Sequence, residues 1–300
     1  MIKTNVLKFK KAVAVFMAML LMMLSFSYTA NDNSDAANSS MSYKVYNATT
    51  GHYLREYTLA PLETDNNDNT RSIIDDDDRV VDWTKSGVTK IINADGSFGS
   101  GFVVDEHTIA TAAHCLYNCS NTTTRNISKI LLFDTSGNIE QNIIPVEYHL
   151  PIKFINAVSN KEYSTISDYA LITVEEDLSE YMCFELGVPL DSFVNGNATV
   201  TTTGFPEKVN KKIVNTCIKH MKYSGNGKVC GGNTENTLLY YKADASEGNS
   251  GGPVYITESL NGRTYYTVVA INVAQSNNNI GTRMTTDLIH FYKSNNNLRY

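Results

Sequence analysis

The chain has 300 residues, of which 42% are apolar and 19% charged, and its formal net charge is −6. This length holds one large domain or two ordinary ones, and the apolar fraction is sufficient for a sizeable core. The acidic balance, without a basic stripe along the sequence, argues against nucleic acid as a partner.

The N-terminal segment has the pattern of an export signal. Lysines 3, 8, 10 and 11 precede the apolar run AVAVFMAMLLMMLSFSYTA. A basic start, an apolar stretch and small residues near Ala30 are typical of a signal peptide, so residues 1–30 are predicted to be cleaved off. The run also approaches the length of a membrane span, but small and polar residues follow it directly. We therefore expect a secreted, extracellular protein with no stable membrane association after cleavage.

Residues 31–71 are predicted to form a pro-segment. The stretch from 31 to about 79 is poor in large apolar side chains and ends in ETDNNDNTRSIIDDDDR. A composition of this kind buries little core and is typical of a flexible segment.

Beyond this stretch the sequence becomes richer in apolar residues. Short apolar or alternating runs recur between clusters of Gly, Asn and Asp, among them VTKII, GFVV, KILLFD, IIPVEYHL, TLLYYKA and TYYTVVAINVA. Many short strands with turn signals predict an all-β sandwich or barrel. Only TTDLIHFYKSNNN is predicted to be helical, with Thr286 or Asp287 as its N-cap.

Cysteine usage is compatible with export, where disulfides are permitted. The five cysteines are Cys115, Cys119, Cys183, Cys217 and Cys230. Proximity favours the pairs Cys115–Cys119 and Cys217–Cys230 with Cys183 left over, although a sequence alone does not determine connectivity. The sequence has neither a CxxC pair nor a histidine pair at ligand spacing, so neither a metal site nor a cofactor is predicted.

The segment KADASEGNSGGPVY, residues 242–255, surrounds one serine with three glycines. Glycine lets the backbone adopt conformations that other residues resist. Ser250 is therefore a candidate nucleophile, and its own N–H and that of Gly248 are candidate oxyanion donors. A simple turn is the alternative interpretation of such a cluster.

A serine nucleophile needs a base, and the base needs a third group that fixes its tautomer. Of six histidines, His114 in GSGFVVDEHTIATAAHC follows a predicted strand and small residues that leave an imidazole accessible. Asp168 directly precedes the apolar run YALITV. The order His114, Asp168, Ser250 matches that of chymotrypsin and differs from that of subtilisins and α/β-hydrolases.

Together, TAAHC, SDYALITV and GNSGGPV resemble the chymotrypsin-like serine peptidases, and the chain is most similar to the secreted bacterial V8-like or glutamyl endopeptidase family. TTTGFP and GTRMTT extend the similarity over roughly residues 71–295. The resemblance implies two six-stranded antiparallel β-barrels, roughly 80–185 and 186–285, and a C-terminal helix. It further implies a monomeric serine endopeptidase, residues 72–300, that acts on protein or peptide substrates.

The resemblance also bears on maturation. The family's pro-segment ends before a Ser-hydrophobic-Ile run, which places the cut by an activating protease after Arg71. Arg79 is the alternative, because DDDDR resembles the trypsinogen activation peptide. Asn249 stands where trypsins carry an Asp that pairs with the new N-terminus, so that switch is not expected here.

The substrate pocket (S1) gives conflicting indications. Family membership implies cleavage after Glu or Asp, but the positions that would supply a histidine and a hydroxyl are Asn272 and Ala245. Asp244 falls where trypsins bind Arg or Lys, although many glutamyl endopeptidases also carry Asp there. Cleavage after Arg or Lys is thus the alternative, and a catalytically silent binding homologue is the rival from another class.

Overall fold

The computed structural model describes residues 41–59, 79–181, 184–195, 198–275 and 278–294. The predicted signal peptide, Arg71 and Cys183 lie outside these residues. The strands of the N-terminal half are β1 Met41–Asn47, β2 Tyr53–Leu59, β3 Val80–Val81, β4 Val88–Asn93, β5 Phe98–Asp105, β6 Thr108–Thr111, β7 Tyr117–Asn118, β8 Thr123–Thr124, β9 Ile127–Phe133, β10 Ile139–Ile143, β11 Pro145–Pro151 and β12 Ala170–Val174.

The C-terminal half continues with short and long strands and contributes two of the helices. Its strands are β13 Glu185–Leu186, β14 Thr199–Gly204, β15 Lys208–Val209, β16 Lys212–Ile213, β17 Tyr223–Gly232, β18 Leu238–Tyr241, β19 Pro253–Leu260, β20 Arg263–Gln275 and β21 Asn279–Arg283. The α-helices of the described residues are α1 Ile152–Ser159, α2 Asp191–Asn195 and α3 Thr286–Ser294. Within these ranges, no helix is long and apolar enough to cross a membrane.

The first sheet has the strand order β10-β9-β4-β5-β6-β12-β11-β1-β2. Its six central strands, from β9 to β11 in that order, contribute to a core that includes Ile91, Phe102, Ile109 and Leu171, all fully buried. Strand β4 is buried at every position, although Thr89, Lys90 and Asn93 are polar. The buried ammonium group of Lys90 is satisfied by hydrogen bonds, one of them to Asn215 Oδ1 at 3.0 Å.

The second sheet closes on itself. Strand β20 pairs with both β19 and β21, so that β14, β17, β18, β21, β20 and β19 form a closed six-stranded barrel. Its core contains Val200, Leu239, Val254 and Ala270. Closure removes the unpaired edges that an open sheet would expose. The all-β prediction is confirmed.

The helices agree only in part with the prediction. Helix α3 is confirmed, and it buries Leu288, Phe291 and Tyr292. The prediction that no other stretch is helical is wrong at the five-residue α2 and at α1, which directly follows β11 and buries Phe154 and Val158. With eight residues, α1 is too short for its period to stand out against the apolar strand before it.

The β1–β2 hairpin (residues 41–59) contradicts the expectation that residues 31–79 bury little core. Strand β1 pairs with β11 and extends the first sheet, and its Tyr43 and Val45 are fully buried. These two residues alternate along MSYKVYN, which gives the strand one inward face. Composition averaged over the whole segment conceals this face. The predicted boundaries of the pro-segment remain predictions.

The predicted disulfides Cys115–Cys119 and Cys217–Cys230 are not formed, because Cys115, Cys119 and Cys217 are free thiols. Cys115 directs its sulfur to the Ser250 carbonyl oxygen at 3.4 Å, and Cys119 directs its own to that of Tyr117 at 3.7 Å. Cys230 is buried on β17, whereas Cys217 lies in an exposed loop. Closeness in sequence does not provide the geometry that a disulfide needs.

Candidate active site

His114 lies just beyond β6, in a 3-10 turn over Ala113–Cys115. Ala112 and Ala113 are fully buried, while 24% of the His114 side chain is exposed. The small residues therefore let the backbone pack against the core and leave the imidazole accessible at the surface, as the sequence indicates.

Asp168 is brought to His114 by the pairing of β12 with β6, in which Ala170 lies opposite Thr111. The Asp168 side chain is fully buried. Its Oδ1 accepts the backbone N–H of His114 at 2.9 Å, and its Oδ2 lies 2.7 Å from His114 Nδ1. A buried carboxylate requires such partners. Since an ionised carboxylate only accepts, Nδ1 carries the proton and Nε2 is the basic nitrogen.

A third side chain, Tyr163, completes this cluster and was not predicted from the sequence. Its hydroxyl donates to Asp168 Oδ2 and lies 3.3 Å from His114 Nδ1. The ring meets that of His114 at 6.3 Å and 64° and rests edge-on against Phe154 of α1. The only signal in the sequence is a tyrosine five residues before the aspartate, which is a weak one.

The turn around Ser250 requires its glycines. Gly248 and Gly251 have φ values of +90° and +83°. A Cβ on Gly248 would lie 2.3 Å from the Phe205 carbonyl oxygen, and one on Gly251 would lie 2.2 Å from the oxygen of Ser100. Both the conformation and the space therefore exclude a side chain.

The same turn rests against the first sheet next to His114. The Ser250 carbonyl accepts the Ser100 N–H at 2.8 Å, and Ser100 Oγ donates to the Gly248 carbonyl at 2.7 Å. A Cβ on Gly251 would lie 2.9 Å from the nitrogen of Ala112, two residues before His114. Within the described chain, the hydrogen-bond partners of the His114 ring are Asp168 and Tyr163, and Ser250 is not among them. Catalytic hydrogen bonds often tighten only when substrate binds.

Two backbone donors of the turn are available for a ligand. Its hydrogen bonds use the N–H groups of Asn249, Gly251 and Gly252. Those of Gly248 and Ser250 donate to no acceptor in the part of the chain that the structure describes. Unpaired N–H groups flanking a candidate nucleophile are what an oxyanion hole requires.

The residues predicted to form S1 lie beside this turn. Asn272 of β20 accepts the Gly251 N–H at 2.8 Å and donates its own to the Gly252 carbonyl at 2.9 Å. Its side-chain Oδ1 accepts the hydroxyl of the fully buried Tyr241. Asp244 and Ala245 are half-buried and precede the turn. Among the described residues, no cluster of His, Cys, Asp and Glu could hold a metal ion.

Comparison with known proteins identifies the family. Residues 99–259, more than half of the chain, match the family model of the trypsin-like peptidase domain. The chain belongs to this family. His114, Asp168 and Ser250 all lie within the matched range. This confirms the broader expectation of a chymotrypsin-like serine peptidase.

A structural comparison agrees with this assignment for the trypsin-like peptidase. A solved structure of a Glu endopeptidase in complex with MPD matches with a TM-score of 0.60 at 19% sequence identity. The match covers 75% of this chain and 99% of that chain. At this identity it establishes a shared fold. No curated protein matches the chain.

Proposed function

We propose that this trypsin-like peptidase is a serine endopeptidase whose triad is His114, Asp168 and Ser250. One observation carries the proposal. A buried carboxylate holds His114 with its basic nitrogen free, beside a glycine turn whose Gly248 and Ser250 N–H groups lack an acceptor among the described residues. A module that served only for binding would have no need of this combination.

The proposed reaction follows from these positions. Ser250 Oγ attacks the scissile carbonyl carbon while its proton passes to His114 Nε2. The N–H groups of Gly248 and Ser250 donate to the resulting oxyanion, and losing one such donor costs about 3–4 kcal/mol. His114 then protonates the departing amine, which leaves an acyl-enzyme. Water, deprotonated by His114, attacks the ester and releases the acid, and the proton returns to Ser250.

For specificity we propose V8-like cleavage after Glu or Asp. The sequence resemblance supports it, as does the structural neighbour, which is a Glu endopeptidase. The Tyr241 hydroxyl donates a hydrogen bond to Asn272 Oδ1. The NH₂ group of Asn272 is therefore the part of the amide that can donate to a P1 carboxylate. Cleavage after Arg or Lys is the second candidate, favoured by Asp244, which precedes the turn around Ser250.

We also propose secretion, removal of residues 1–30, and activation by a protease that cuts after Arg71. The contacts of Arg79 favour this site over the alternative. Its guanidinium donates to Ser246 Oγ and to the Lys208 carbonyl, both at 3.0 Å. A protease that cut after Arg79 would have to withdraw that side chain from both partners.

Labelling with a fluorophosphonate probe tests the proposed function. The processed protein should be labelled at Ser250, Ser250→Ala should not be labelled, and Ser259→Ala, an exposed serine on β19, should be labelled like the wild type. His114→Ala should react far more slowly, because the triad members act as a unit. A well-folded wild type that resists the probe and hydrolyses no peptide would instead support the binding homologue.

A further inference from the structure

We propose that Tyr163 is a positioning residue whose hydroxyl fixes the Asp168 carboxylate. The carboxylate in turn sets the tautomer and orientation of His114, so the proposal depends on the proposed triad. The carboxylate accepts three hydrogen bonds from the described residues, two from His114 and one from Tyr163. The tyrosine is thus the one side chain other than the base itself that the described structure brings to this carboxylate.

The surroundings determine which group donates and which accepts in each hydrogen bond of this cluster. The ionised carboxylate is an acceptor only, so Tyr163 must donate to it. The Tyr163 hydroxyl lies against the buried Asp168 carboxylate, although part of the ring is exposed. Desolvation at that end of the side chain, together with the charge of Asp168, holds the pKa of Tyr163 well above its ordinary value, and the phenol keeps its proton. Oδ1 is occupied by the His114 N–H and Oδ2 is shared by Tyr163 and Nδ1. This arrangement leaves the carboxylate little freedom to rotate.

The ring of Tyr163 is held by packing that does not depend on its hydroxyl. Although 41% exposed, it rests against Phe154, and Phe154 in turn contacts Tyr117. The hydroxyl can therefore be removed as Tyr163→Phe without opening the cluster to water. Tyr169→Phe is a matched control, because Tyr169 adjoins Asp168 in sequence but donates towards Met41 and pairs with Tyr43.

Burial keeps three other ionisable side chains near the cluster neutral at ordinary pH. Burial raises the pKa of Cys115 and of Cys119 to about 12, and both thiols stay neutral. Burial also holds the pKa of Tyr292 well above its ordinary value. Arg125, a charged residue near the two thiols, is paired with Asp95. The acid limb of the activity profile should therefore report the protonation of the catalytic base.

Tyr163→Phe should lower kcat roughly tenfold, the lower end for a hydrogen bond to a charged group, and leave KM nearly unchanged. The phenol withdraws negative charge from the carboxylate, so its loss should favour the imidazolium and move the acid limb of kcat/KM to higher pH. Tyr169→Phe should show neither effect. Wild-type kcat and an unmoved acid limb in Tyr163→Phe would overturn the proposal. So would a fall in kcat shared by both variants without a shift of the limb.

A second measurement separates this proposal from the proposed function. The titration of His114, followed by NMR in the Ser250→Ala background, needs no turnover. A midpoint that moves upward when Tyr163 becomes Phe supports the positioning contact, even if the wild type proves unreactive towards the fluorophosphonate. An unmoved midpoint in a protein that the probe does label overturns the role of Tyr163 and leaves the proposed peptidase activity intact.

Discussion

The ring of Tyr43 lies parallel to that of Phe291, with centroids 4.2 Å apart and planes inclined by 8°. The first residue belongs to the β1–β2 hairpin and the second to α3, so elements far apart in the chain share one core. The Tyr43 hydroxyl also lies 3.1 Å from that of Tyr169, the residue after Asp168. The hairpin therefore supports the segment that carries the proposed catalytic aspartate.

We predict that the hairpin stays bound after activation. A cut after Arg71 would leave residues 41–59 in a separate chain, still paired with β11 and joined to it by Arg55 and Glu147 at 2.6 and 2.7 Å. Native mass spectrometry of the processed enzyme should show both chains together, and denaturing conditions should separate them. Recovery of an active enzyme without the hairpin peptide would refute this prediction.

Tyr43→Ala provides the corresponding variant. Removing a fully buried aromatic side chain should cost about 3–5 kcal/mol of the free energy of unfolding, measured by urea denaturation of the unprocessed protein. Tyr53→Ala is the control, since 55% of that tyrosine is exposed on β2. It should change stability by less than about 1 kcal/mol.

Acid should weaken the attachment of the hairpin. Burial alone would raise the pKa of Glu147, but hydrogen bonds from His149 and Arg55 outweigh it and hold the pKa at about 2, below the ordinary 4.5. A carboxylate with a lowered pKa contributes stability above its unfolded pKa and loses it as pH falls towards the folded one. That window runs here from 4.5 down to about 2.

Thermal unfolding at a series of pH values measures this effect. The wild type should be more stable than Glu147→Gln near neutrality, and the difference should shrink as the pH falls below 4.5. A difference that is independent of pH would show that the ionised carboxylate is not what matters.

The sequence was informative where chemistry demands particular residues in a particular order. His114, Asp168 and the glycines around Ser250 could be selected because a nucleophile, its base and its oxyanion donors impose such patterns. Tyr163 could not, because a single tyrosine in a polar loop has no periodicity, and only the fold brings it to Asp168. The hairpin was missed for a related reason, since its two inward residues are diluted in a polar segment.

Gly251→Ala should inactivate the enzyme. A Cβ there would lie 2.2 Å from both Ser100 O and Thr111 Oγ1, so the turn must move away from His114. A displacement of about 1 Å costs roughly a hundredfold in rate, measured as kcat/KM on a peptide substrate. Gly262→Ala is the matched control, since Gly262 has a φ of +77° but nothing within 4 Å of its Cβ position. It should lose about 1 kcal/mol of stability, because alanine disfavours a positive φ, and keep its activity.

The final prediction concerns the P1 residue. Asn272 lacks a charge, and an unpaired carboxylate taken from water costs several kcal/mol even after relaxation. The NH₂ group of Asn272, oriented by Tyr241, is the donor that we expect to offset part of this cost. Substrates that differ only at P1 should be cleaved at least tenfold faster after Glu than after Arg, a difference of about 1.4 kcal/mol.

Two variants test this prediction by changing one charge each. Asn272→Asp keeps an acceptor for Tyr241 but replaces the NH₂ group with a carboxylate oxygen, so cleavage after Glu should fall by at least about tenfold. Asp244→Ser should leave cleavage after Glu unchanged or raise it, because that carboxylate does not attract an acidic P1 and repels it if it faces the pocket. The reverse outcome, efficient cleavage after Arg that disappears in Asp244→Ser, would assign the pocket to basic side chains, because an ionised Asp244 attracts Arg and repels Glu.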